Sequence, residues 1–326
     1  MSFESDVIVD RRRIRRKLTF WRVLAAVVAI VAVVSVALIA SPIGSGTLSA
    51  SGSIARITIE GLIRSDNDRV EALERLEKSS AAAVVVHINS PGGTTAGSEQ
   101  LYDALMRLKA KKPVVVVVEG LAASGGYIAA IAADHIVAQQ TSLVGSIGVL
   151  FQIPNVGELL KTIGVKVEEV KSSPLKAAPN GFEPTSPEAR AALDSLVKDS
   201  YAWFRNLVQS RRGMDDAQLE KVADGRVFTG RQAVDLKLID QLGDEKTAVA
   251  WLVSEKKVKA DLPIRDFKLT PKFGDLTFLR TAASVTLDAV GLGVIARKAE
   301  QAGLFQAVDQ LNLDGMLALW RPGATN

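Results

Sequence analysis

Two glycine-paired stretches, "NSPGG" at 89–93 and "ASGG" at 123–126, hold the residues best suited to chemistry. Each follows an apolar run, "AAVVVHI" at 82–88 and "VVVVVE" at 114–119, so each stands where a buried strand ends. Ligands of parallel α/β sheets sit at that edge, where turns feed helix N-termini. Ser124 would open a helix there, with the amide of Gly125 beside it and that of Gly93 or Gly92 arriving from the other turn. A hydroxyl flanked by converging amides is the arrangement of a nucleophile and an oxyanion hole, in which one donor is typically worth ~3 to 4 kcal/mol to the transition state. The competing reading makes Ser124 an N-cap and the glycines tight turns.

A serine nucleophile needs a base. The chain has two histidines, His87 in "VVVHINS" and His135 in "HIVAQ", and both read as ordinary sheet residues. They lie 48 positions apart, too far for a local metal motif, and the absence of cysteine excludes thiolate catalysis and cysteine-ligated metal. Lysine can serve instead where burial keeps the amine neutral. Most lysines here have solvated neighbours. Lys176 differs, because "KSSPLKAAPNG" sets it between Leu175 and Ala177 with Pro174 and Pro179 stiffening the segment.

The elements that must position these residues alternate. "IARITIEG" reads as a strand, "DRVEALERLEKSS" as an amphipathic helix, 82–88 as a buried strand, 95–110 as a helix and 114–119 as a second buried strand. "DHIVAQ" and "VKVEEV" add two short strands, separated by "SLVGSIGV" and the helix "NVGELLKTIG". A long helix spans 187–212 after the start signal "TSPE", and short helices with glycine stops follow. Continuous valine runs alternating with helices predict an α/β fold whose largely parallel sheet is covered on both faces.

Seven basic residues against three acidic ones in residues 1–22 carry the whole net charge of +4, so a basic surface for nucleic acid is unsupported elsewhere. The 18 uncharged residues "VLAAVVAIVAVVSVALIA" at 23–40 follow. As a helix they reach ~27 Å, about the thickness of a hydrocarbon core. The preceding "RRRIRRK" places the N-terminus in the cytoplasm. A cleaved signal peptide is the alternative, but its apolar core is usually shorter, and no clean A-x-A precedes the Gly/Ser linker at 41–53. The expected organisation is a basic tail (1–22), a signal anchor (23–40), the linker (41–53), a catalytic domain (54–260) and a C-terminal extension (261–326).

Taken together, "INSPGG", "ASGGYIAA", "ADHIVA", "SLVGSIGV" and "GRVFTGRQAVDLKLIDQLG" resemble the bacterial signal peptide peptidases in their short, single-repeat form. These are membrane-anchored serine-lysine proteases related in fold to the Clp protease and crotonase group, and the resemblance covers roughly residues 54 to 256. It implies Ser124 as nucleophile, Lys176 as general base, Ser146 of "GSIG" as the residue that orients the lysine, and the backbone of Gly125 and Gly93 as oxyanion donors. Related sequences often read like "GKYK" before the base; this one reads "SSPLK", which leaves Lys171 as the alternative. The resemblance further implies a homo-oligomer whose serine and lysine come from neighbouring chains. It implies extended hydrophobic peptides as substrates, chiefly signal peptides left in the membrane, and no cofactor or metal.

A crotonase-like thioester enzyme on the same fold would want a carboxylate near "GSIG", and none occurs between Gln139 and Asn155. A non-catalytic membrane scaffold would have no use for Ser124 and a matching lysine. The charge asymmetry gives a topological expectation for a bacterial inner membrane, with the protease domain on the outer side. A tag fused at the N-terminus should stay protected from protease added outside the cell, while one placed after residue 260 is cut; accessibility of the N-terminal tag would overturn the topology.

Overall fold

The computed structural model describes residues 52–269, together with the backbone of Leu317–Leu319. The basic tail and the expected anchor at 23–40 lie outside the described residues. Among the described residues no helix is long and apolar enough to cross a membrane.

The valine runs form the middle of one sheet. Strands β1 (Ile54–Ile63), β2 (Ala83–Thr94) and β3 (Val114–Ala123) pair in parallel, with Ile57 opposite Val86 and Val85 opposite Val115. Val84, Val85, Val86, Val115 and Val116 are fully buried, as strands covered on both faces must be. Two short strands, β4 (His135–Ala138) and β5 (Leu143–Gly145), pair parallel with successive stretches of β3. The sheet continues through β6 (Val227–Thr229), antiparallel to β5, and β7 (Gln241–Leu242), parallel to β4. Its outer edge is β8 (Ile264–Asp266), parallel to β1. The parallel expectation holds for the core strands and gives way to a mixed sheet at β6 and at β9 (Leu317–Leu319), which pairs antiparallel with β2.

The helices α1 (Asn67–Glu77), α2 (Thr95–Lys109), α3 (Gly125–Ala130), α4 (Gly157–Thr162), α5 (Pro187–Arg212), α6 (Asp216–Val222), α7 (Gly230–Asp235) and α8 (Glu245–Lys256) fall between the strands. Leu73 and Leu76 of α1 and Leu101, Leu105 and Leu108 of α2 are the buried positions, as their spacing predicts. Helix α8 lays Ala248 and Leu252 on Val85, Val115 and Val117. The long α5 starts where Ser186 accepts from the amide of Ala189 with Pro187 next, and stops at left-handed Gly213 (φ 59°).

Two local expectations change. "NSPGG" is not a free turn: β2 continues through it to Thr94 with a register shift, because β1 pairs with Gly92 and Gly93. "VKVEEV" is not a strand, and Val165, Val167 and Val170 are exposed. Its alternation would need a sheet edge and a covering face, and among the described residues it meets neither.

His87 is more than a sheet residue. Its Nδ1 lies 2.7 Å from Glu119 and its Nε2 lies 2.7 Å from Glu245, while Arg56 donates through two nitrogens to Glu245 and through a third to Asp266. This network ties the start of α8 to β1, β2 and β3. His135 stacks on Trp251 with ring centroids 4.5 Å apart. The Arg56 hydrogen bond is the main reason the Glu245 carboxyl is held below its ordinary range. A carboxylate with a depressed folded pKa adds stability above its unfolded pKa and loses it as pH falls through the folded value. The melting temperature should therefore fall on acidification below about pH 4.3, the ordinary glutamate value. Glu245→Gln should flatten that decline while lowering stability at neutral pH; an unchanged acid limb in thermal melts of the variant would remove Glu245 from the account.

Candidate active site

Ser124 joins β3 to α3 with φ 53° and ψ −115°. This is the left-handed side, where non-glycine residues are strained, and such residues persist only when their surroundings hold them. Its amide donates to Gly145 O at 2.7 Å, extending the pairing of Ala123 with Gly145. Its carbonyl accepts from Tyr127 and Ile128, starting α3. Ser124 occupies the N-cap position, yet its hydroxyl makes no capping hydrogen bond. The cap reading therefore fails, and the buried hydroxyl is left uncapped at the junction.

Helix α3 is fixed from both sides. The fully buried Tyr127 donates its hydroxyl to Leu238 O at 2.7 Å. Arg211, in the last turn of α5, donates to Ile131 O and Ala133 O at 2.8 Å each, satisfying carbonyls just past the end of α3. Burial pushes the Tyr127 phenol well above its ordinary pKa, so it stays a neutral donor.

The other stretch is pinned by Ser90. Its buried hydroxyl donates to Gly61 O at 2.6 Å and accepts from the amide of Gly92 at 3.1 Å. The amide of Gly92 is thereby engaged, and Gly93 remains the candidate donor on this side. Both flanking glycines are required sterically: a Cβ on Gly93 would stand 1.8 Å from Ile63 O, and one on Gly126 would stand 2.6 Å from Ser90 O. The amide of Gly125 is among the first of α3, which have no partner inside the helix. Ser90 was not singled out in the sequence, although a serine whose hydroxyl bonds the amide two residues on has a readable signal in "SPGG".

Ser146 follows Gly145 directly, takes φ 52°, and donates its amide to Arg226 O. The fold thus brings Ser124, Gly125, Gly93 and Ser146 to one end of the sheet. A cavity of about 350 Å³ opens beside Ser146, lined among others by Ile147, Val149, Val197 and Tyr201. Lys176 is not part of this cluster within one chain. It is exposed, in the 171–180 segment, and hydrogen-bonds neither to Ser124 nor to any other side chain. Lys171 pairs with Glu169 and, at 3.1 Å, with Glu183, and these carboxylates raise its pKa above the usual lysine value. An ammonium so held is in the wrong state to take a proton. Among the described residues no group of side chains could hold a metal ion.

A profile described as Peptidase family S49 matches residues 106–259, and one described as Clp protease matches 56–143. A Synechocystis protein named as a protease is 37% identical over 200 residues, covering 61% of this chain and 72% of that protein. The chain belongs to peptidase family S49. Further relatives include an Enterococcus faecium protein named as a signal peptide peptidase, 32% identical over 198 residues (60% of this chain, 57% of that one). An Arabidopsis thaliana protein named chloroplastic serine protease SPPA is 29% identical over 283 residues (83% of this chain, 40% of that one). As an S49 peptidase the chain is a serine protease with a Clp protease-like α/β fold.

Ser90 gives a test of the pinned stretch. Ser90→Ala frees the amide of Gly92 and loosens the stretch from β1, so the Gly93 donor drifts. We expect kcat on a peptide substrate to fall by up to about a hundredfold, approaching the loss of an oxyanion donor, with KM little changed. A parallel fall in melting temperature and KM with kcat intact would make Ser90 purely structural.

Proposed function

We propose that this S49 peptidase is a membrane-anchored endopeptidase in which Ser124 attacks the peptide carbonyl and Lys176 of a neighbouring chain accepts its proton. In this reading Ser146 orients the lysine. The amides of Gly125 and Gly93 receive the oxyanion, the lysine returns the proton to the leaving amine, and water then hydrolyses the acyl-enzyme. The observation that carries the reading is Ser124 itself, an uncapped hydroxyl held at φ 53° between two amide-bearing stretches.

The shared site is supported by what the single chain leaves unfinished. Among the described residues, every exposed large hydrophobic lies between Leu150 and Leu196, including Val170, Leu175 and Phe182. An apolar arm of this kind is normally covered by a partner, and Lys176 sits within it. The occupant that fits is a second copy of the chain, bringing its lysine to this Ser124. The substrate class is extended apolar peptide, with signal peptides left in the bilayer as the source. Supporting this are the 18-residue apolar segment at 23–40, which would keep the enzyme at the membrane, and the name of the Enterococcus relative.

Ser124→Ala and Lys176→Ala should each lower peptide cleavage by ~10⁴-fold or more, with the double variant little worse than either, since members of one catalytic unit are not additive. Lys176→Arg should match Lys176→Ala, because a guanidinium is never neutral in this range. Mixing the two inactive single variants in one oligomer should restore part of the activity. No recovery in verified mixed oligomers would place both residues in one chain's site, and full activity in Lys176→Ala would move the base elsewhere.

A further inference from the structure

Helix α5 ends on two arginines, and each holds a different neighbour of the nucleophile helix. Arg211 takes carbonyls that follow α3. Arg212 reaches the 237–240 turn after α7: its Nε donates to Lys237 O at 2.7 Å, and its two other nitrogens donate to the Asp240 carboxylate at 2.7 and 3.3 Å. That carboxylate also accepts from the amide of Ile136 at 2.7 Å, and the Asp240 amide donates to Ile136 O, so the turn is fastened to β4 as well. Within the turn Lys237 is held at φ 60°, on the left-handed side, where a lysine stays only under constraint. Its carbonyl is the one that Arg212 takes. The next carbonyl, of the fully buried Leu238, accepts the hydroxyl of Tyr127 at 2.7 Å. The amide of Tyr127 in turn donates to Ser124 O at 2.9 Å. Hydrogen bonds and the Lys237–Leu238 peptide thus link Arg212 to the backbone of Ser124.

We propose that Arg212 is a positioning residue of the protease reaction, setting Ser124 through the Leu238 carbonyl and Tyr127. This rests on the reading of Ser124 as nucleophile and adds what determines its position. An arginine in the last turn of a helix is ordinarily a solvated cation near the last carbonyls, and an exposed ion pair contributes little. Arg212 is not of that kind. Its side chain is 12% exposed, and it bonds a carboxylate and a carbonyl at once, as a planar fork can and an ammonium cannot. Without the fork the strained turn loses the bond on its Lys237 carbonyl, and Leu238 O is free to shift. Tyr127 is fully buried, so its hydroxyl cannot turn to water instead. It must follow the carbonyl or go unpaired, and either outcome disturbs the first turn of α3. A displacement of ~1 Å at a reacting group can cost about a hundredfold in rate.

The test uses the full-length protein with Arg212→Met, Tyr127→Phe and the two combined. Hydrolysis of a fluorogenic apolar peptide and the rate of Ser124 labelling by a fluorophosphonate are read for each, with thermal melts. Arg212→Met should lower kcat and the labelling rate by about ten- to a hundredfold, with KM changed less than about twofold. Tyr127→Phe should lower kcat by a comparable factor, and the double variant should be little worse than the more damaged single, because the two residues act in series. Arg212→Lys should recover little of the loss, since an ammonium does not span Lys237 O and Asp240 together. If Arg212→Met does not fold, Asp240→Asn takes its place in the same cycle, because it keeps an oxygen for the amide of Ile136 while weakening the fork. Wild-type kcat and labelling in folded Arg212→Met, even with a lowered melting temperature, would overturn the proposal and make the residue structural only. Losses that multiply in the double variant would overturn it as well, since Arg212 would then act by another route, and full activity in Arg212→Lys would reduce the residue to its charge. Each of these leaves the protease reading intact. Absence of Ser124 labelling in the wild type would overturn that reading, and the proposal with it.

Discussion

The strained backbone of Ser124 is the constraint on which the site depends. A serine at φ 53° and ψ −115° costs of order 1–3 kcal/mol, which the surroundings must supply. They do so through the 2.7 Å bond from its amide to Gly145 O and through the start of α3 on its carbonyl. That helix is in turn held by Tyr127 on Leu238 O and by Arg211 on Ile131 O and Ala133 O. A residue freed from any of these could relax into an ordinary cap, where its hydroxyl would bond the first helical amides. Holding the backbone off that geometry is what keeps the hydroxyl available and the amide of Gly125 uncapped. The long α5 thus has a mechanical role: it carries Arg211 to carbonyls 80 residues earlier in the chain.

A second feature is the apolar surface left exposed among the described residues. The core strands bury their valines completely, yet the segment after α4 leaves valines, a leucine and a phenylalanine in water. Lys171 is saturated by two carboxylates there, whereas Lys176 has no hydrogen-bonding side-chain partner. Under the proposed function, an exposed apolar arm that carries the unpaired amine of Lys176 is the half of a site that a neighbour would complete. In the proposed function assembly and catalysis are linked, since Ser124 and Lys176 do not meet within one chain among the described residues.

Much of this was legible in the residues. The valine runs specified parallel strands because β-branched side chains on both faces fit only a doubly covered sheet. "TSPE" and Gly213 marked the two ends of α5 closely, because capping is local chemistry. Ser124 and the glycine pairs stood out because nothing ordinary needs that combination at the ends of two buried strands. What was illegible depends on distant partners. "VKVEEV" alternates like a strand but finds no edge in one chain, and "NSPGG" looks like a turn until β1 is known to pair with it. Ser90 and Arg211 act on Gly61 and on Ile131, contacts that only the packed fold creates. The charge network of His87, Glu119, Glu245 and Arg56 joins residues up to 189 positions apart, and no local pattern announces it.

In the proposed function, peptide pairing on the edge of β2 beside Gly92 and Gly93 would need selection beyond backbone affinity. Pairing along a strand edge is made by backbone groups, so it accepts any extended segment that can reach it. Selection for apolar peptides must then come from side-chain contacts, such as the cavity beside Ser146, and from how much peptide is present at the edge. A membrane-held substrate acts at high local concentration and exceeds a free peptide in solution on those grounds alone.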